Sequence, residues 1–164
     1  MDGGQLPEWI KQRKDADALA GSRAEAERAN SSTAEALVRG GGPALWRSLI
    51  AHLKVAADGC KAIGVRVSVA EVPCPVKGES GCRVTCAGGF PALRLAYCDV
   101  LYTQGEAIIR VLSGTEDEDF RLRLCVTEGS KVGLWRDGAR KPMDAEEAAQ
   151  AVMEPLVSVV RGER

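Results

Sequence analysis

Residues 93–112 read LRLAYCDVLYTQGEAIIRVL, two apolar runs joined at Gln104 and Gly105. A short loop with Gly in its second position commonly links antiparallel strands, so the stretch predicts a hairpin. Pairing Thr103 with Glu106 fixes the expected register: Leu101 lies opposite Ile108, Asp99 opposite Arg110 and Tyr97 opposite Leu112. Side chains alternate along a strand, which sorts these residues onto two faces. One carries Ala96, Cys98, Val100, Tyr102, Ala107, Ile109 and Val111. The other carries Leu93, Leu95, Tyr97, Asp99, Leu101, Ile108, Arg110 and Leu112. A sheet with one wet face shows clean apolar–polar alternation, and this hairpin does not. It therefore calls for cover on both sides.

The same register makes a charged pair of Asp99 and Arg110. The plain reading is a cross-strand ion pair, worth roughly 0.2–1 kcal/mol when exposed. The sharper reading is a functional pair in an apolar wall, with Asp99 as an acid–base candidate if it is buried. Apolar surroundings would raise the Asp99 pKa and Arg110 would lower it. Glu71 is the other carboxylate of interest. A bulge in the longer strand would break this pairing.

At 164 residues the chain suits a single domain, which buries about two-thirds of its unfolded surface. Its net charge of −1 argues against a broad phosphate footprint, and aromatic residues, at 4%, are too few for a base-stacking row. Nucleic acid and anionic membrane are therefore poor partners. No apolar run is long enough to span a bilayer. The start, MDGGQLPEWIKQRKDAD, is polar and lacks the regions of a secretory signal, so a cytoplasmic address is expected.

In that compartment the six cysteines should be reduced thiols. Cys82 and Cys86 have a C-x-x-x-C spacing, but the intervening Arg83, Val84 and Thr85 read as strand. Residues four apart in a strand lie roughly 13 Å from one another and cannot chelate one ion. Cys60, Cys74 and His52 sit on unrelated elements. No metal site and no cofactor are expected, and the thiols read as small core hydrophobes.

Taken in order, residues 1–6 read as a disordered start, 7–42 as a helical arm and 43–161 as the core domain. The arm begins at Pro7, a favoured first helical residue, and shows only a thin apolar stripe of Trp9, Ile10, Ala16, Leu19 and Ala20. Ser32 and Glu35 fit a capping box for a second short helix. The run Gly40, Gly41, Gly42, Pro43 predicts a flexible corner. It lacks the Lys-Ser/Thr ending of a phosphate-binding loop. From Pro43 a stronger helix places Trp46, Leu49, Ile50, Leu53, Ala56, Ala57 and Cys60 on one face. His52 lies off that stripe with no nucleophile near it, so a catalytic triad is unsupported.

Val65, Val67 and Val69 mark a first strand, and residues 82–86 a second. A turn containing Gly88, Gly89, Phe90 and Pro91 leads into the central hairpin. The acidic stretch SGTEDED follows, and then the alternation of Phe120, Leu122, Leu124 and Val126 with Arg121, Arg123, Cys125 and Thr127. Asp144 caps a last helix with Glu147 at capping-box spacing. Pro155 should kink it or end its first half, and the chain beyond Arg161 should fray.

A loop at Gly129 and Ser130 sets Arg123 opposite Arg136, with Arg121 on the same face. Like charges in opposition need a compensating carboxylate, water or bound anion. Arg121, Arg123 and Arg136 are thus the candidate anion- or partner-binding residues, with Glu116, Asp117, Glu118 and Asp119 as the alternative neutralising groups.

These features define an α+β chain: an antiparallel sheet of about six strands flanked by amino-terminal helices and one carboxyl-terminal helix. A non-enzymatic binding or adaptor protein is expected, acting through protein–protein contact as a homodimer. The amino-terminal helix should contribute to the interface. The alternative is a small-molecule-binding protein or small enzyme with a cavity between helix and sheet.

Overall fold

A computed structural model describes residues 7–89, 92–115 and 118–163. The expectations for residues 1–6, for Phe90 and Pro91 in the turn, for Glu116 and Asp117 in the acidic loop and for Arg164 lie outside them. The fold is α+β. Helix α1 (Glu8–Cys60) is followed by strands β1 (Arg66–Val72), β2 (Glu79–Gly88), β3 (Arg94–Thr103), β4 (Ile108–Ser113), β5 (Phe120–Thr127) and β6 (Lys131–Arg136), and by helix α2 (Ala145–Arg161). The strands form one antiparallel sheet in their chain order.

The chain divides into two compact units, Met1–Ala36 and Leu37–Arg164. In the first, the described residues are helical from Glu8, and all but Ile10 and Ala34 are exposed. Alanine and charged side chains sustain this stretch by helix propensity, without an apolar face.

The second unit holds the core. Leu49, Leu53 and Ala57 of α1 and Ala149, Val152, Met153, Leu156 and Val160 of α2 are buried with Val84, Val100, Ile109, Leu122 and Leu134 of the sheet. Both helices thus cover the same face, here called inner. Asp144 caps α2 in a complete capping box with Glu147, as the spacing predicts. Pro155 lies inside α2, which continues through it to Arg161.

Several local expectations fail. The second short helix capped by Ser32 and Glu35 is not separate, because α1 runs unbroken from Glu8 to Cys60. The glycine run is not a corner, because α1 is continuous through Gly40, Gly41, Gly42 and Pro43. Its glycines serve close approach: a Cβ on Gly41 would strike Val132, and one on Gly42 would strike the Tyr102 hydroxyl and press on Leu124. The chain needs small residues here so that helix and sheet can touch.

The central hairpin turns through four residues, 104–107, with Thr103 paired to Ile108. Ala107 takes a positive φ of 53°, and its carbonyl accepts from Leu124 N at 2.9 Å. The register therefore shifts by two, setting Leu101 opposite Arg110 and Asp99 opposite Leu112. A shift of two preserves the side-chain alternation, so Ala96, Cys98, Val100, Tyr102, Ile109 and Val111 still share one face.

The last hairpin turns through Glu128–Ser130, with Gly129 and Ser130 at φ 73° and 58°. That extra loop residue shifts the register by one. Arg136 now lies opposite Leu122, and Arg123 opposite Trp135.

Candidate functional site

The outer face of the sheet combines exposed apolar side chains with ordered charges. Strand alternation puts Leu95, Tyr97, Asp99 and Leu101 of β3 there, beside Arg83 of β2, Leu112 of β4 and Arg121 of β5. Leu95 is 64% exposed, Tyr97 41% and Leu112 37%, while Leu93, just before β3, is 61% exposed. The same strands bury Ala96, Cys98 and Val100 on the inner face. The outer face is thus apolar without being part of the core.

Asp99 does not pair with Arg110. Arg83, its neighbour across β2, donates from Nε to Oδ1 at 2.7 Å and from Nη2 to Oδ2 at 2.8 Å. Both carboxylate oxygens are engaged in a bidentate fork. The Arg83 guanidinium also lies 4.9 Å from the centre of the Tyr97 ring. Arg110 instead donates from Nη2 to Glu79 Oε1 at 2.9 Å and to Thr103 Oγ1 at 3.4 Å. Its Nε is buried without a hydrogen-bond partner among the described residues. Asp99 thus pairs across the β2–β3 boundary, and Arg110 reaches Glu79 of β2 past Thr103 of β3.

The three candidate arginines do not share a surface. Arg121 and Arg123 are outer, whereas Arg136 is inner because it alternates with Val132 and Leu134. The Arg123–Arg136 opposition is therefore absent. A different one is present: Arg110 lies opposite Arg121. Arg123 reaches Asp137 at 3.7 Å, and Arg136 lies against the Phe120 ring, 4.1 Å from its centre. The missed signal was parity: Val132 and Leu134 share the core-facing phase with residue 136, not with residues 121 and 123.

The thiols are poorly placed for nucleophilic work. Burial, more than any neighbouring charge, pushes Cys82, Cys86 and Cys98 up to about 12. Burial also raises Cys60 and Cys125. Such thiols stay protonated at neutral pH, whereas the thiolate is the reactive and metal-binding form. Cys82 and Cys86 occupy one extended strand, and no cluster of metal-binding side chains occurs among the described residues. Glu71 is exposed and borders a depression with Trp46 and Ile50. No helix among the described residues is long and apolar enough to cross a membrane.

Comparison with protein-family profiles, with curated proteins and with solved structures gives no match.

Proposed function

We propose that this is a non-enzymatic binding or adaptor protein that acts through protein–protein contact as a homodimer, with the outer sheet face as the contact. The observation carrying this reading is the exposure of Leu95, Tyr97 and Leu112 on that face, with exposed Leu93 just before β3. A contiguous exposed apolar patch is a mark of an interaction site.

A second copy is the occupant that the charges favour. The Arg83–Asp99 pair brings equal and opposite charges into the apolar region, an arrangement complementary to itself across a twofold axis. Further outer cations stand on the flanking strands, Arg66 on β1 and Arg121 and Arg123 on β5, the last of them facing Asp137. A cytoplasmic setting belongs to the same reading, supported by six free thiols.

Light scattering on the full chain tests the proposal. The expected mass is that of a dimer at micromolar concentration. The double substitution Leu95→Glu, Leu112→Glu should return a monomer with unchanged circular dichroism, since both side chains are already exposed. A monomeric full chain, or a dimer indifferent to these substitutions, would overturn it.

A further inference from the structure

On the opposite side of the sheet, a cavity of about 180 Å³, partly open to solvent, lies between α2 and strands β3, β4 and β5. Its lining divides by burial. Cys98, Val111, Val152 and Leu156 are all but inaccessible and form an apolar floor, while Glu118 and Arg136 are exposed and stand at the mouth. An apolar cavity of about 150 Å³ is large enough to take up benzene, so this one suits a small apolar body.

Arg136 gives the mouth its chemistry. Its guanidinium rests on the Phe120 ring and takes no hydrogen bond or ion pair among the described residues. Stacking orients the plane of the group and leaves its in-plane N–H donors without a partner among the described residues. A guanidinium fork is the geometry that recognises a carboxylate through two parallel hydrogen bonds. Ser113, also in the wall, is turned to Thr115, with the two hydroxyl oxygens 2.9 Å apart.

We infer that this cavity binds a small monocarboxylate bearing a short apolar group, with the carboxylate on Arg136 and the apolar group against Val111, Val152 and Leu156. The floor offers a polar tail no charged or amide partner, and burying an unpaired polar group is unfavourable. Glu118 at the mouth disfavours a second negative charge, which selects against dicarboxylates and phosphate esters. The site is separate from the proposed contact face and uses none of its residues.

Hexanoate and benzoate are suitable probes, with hexanol as the uncharged control, titrated into the isotopically labelled full chain and followed by NMR. Saturable binding is expected, with shifts concentrated at the methyl groups of Val111, Val152 and Leu156. Hexanol should bind about tenfold more weakly, and Arg136→Gln should weaken hexanoate by a similar factor. Arg136 is exposed, so that variant should melt with the native protein. Glu118→Gln should bind hexanoate at least as well as native. The inference fails if neither acid saturates up to about 10 mM. It also fails if Arg136→Gln binds hexanoate like native, or if Glu118→Gln binds it more weakly.

Discussion

The two faces of the sheet are built from the same strands, one residue out of phase, and have different fates. On the inner face Cys98 and Val100 lie under two helices and exclude water. On the outer face Leu95 and Tyr97 are comparably apolar and remain accessible. The chain's own core does not require the outer apolar residues. The contrast teaches that burial is set by the covering layer, and that strand hydrophobicity alone does not report it. It also separates their chemistry: the outer face holds the fork-bonded Arg83–Asp99 pair, and the inner face holds silent thiols.

The largest test of this contrast is a pair of truncations. Leu122→Ala, at an inner position with no exposed surface, should cost about 2–5 kcal/mol in urea denaturation. Leu95→Ala should cost under about 0.5 kcal/mol in dilute protein. A Leu95 cost that grows with protein concentration would sharpen the comparison by exposing subunit association. Equal costs at high dilution would break it.

A second pair probes how closely the inner cover sits. Gly42→Ala drives a methyl group into Tyr102 and Leu124 and should destabilise by about 1–3 kcal/mol. Gly40 has open space around its would-be Cβ, so Gly40→Ala should stabilise by up to about 1 kcal/mol through helix propensity. Thermal melts of both variants decide the matter. A neutral Gly42→Ala would mean that helix and sheet are not in contact there.

The smallest effect is the pH signature of the inner face. Burial first, then Cys82, Cys86 and Asp99, raises the Cys98 thiol from 9.0 to about 12. Above pH 9 the unfolded chain sheds that proton while the native chain keeps it. The thiol's contribution to stability is therefore complete below pH 9 and lost as pH rises towards 12. Between about pH 8 and pH 10, Cys98→Ala should lose about 1.4 kcal/mol less stability than native protein. An identical loss in both would show that the thiol ionises freely in the folded chain.

The sequence was legible wherever a period decided the outcome. Alternation placed the inner residues of β3 and β4 on one face even though the loop was misjudged, because a shift of two leaves every side chain on its side. Helical spacing identified Leu49, Leu53 and Ala57, and the Asp144–Glu147 spacing gave the α2 cap. Loop chemistry was less legible. Ala107 has no residue-type signal for its positive φ; its carbonyl is engaged by β5, a partner distant in sequence. Adding one residue to the Glu128–Ser130 turn moved Arg136 to the other face and dissolved the arginine cluster. Gly41 and Gly42 read as a break because tertiary contact, invisible locally, is what uses them.

The unbroken order of the strands, β1 to β6 in sequence, has a consequence for how the chain reaches this state. Every ladder joins neighbours along the chain, so each pairing closes only a short loop and incurs a small entropic cost. No ladder waits on a crossover, and the sheet can lengthen hairpin by hairpin from any starting point. The distant encounter is left to the helices, since Leu53 and Val152 meet one core from opposite ends of the second unit. Topologies dominated by local pairing fold faster than those that assemble remote strands.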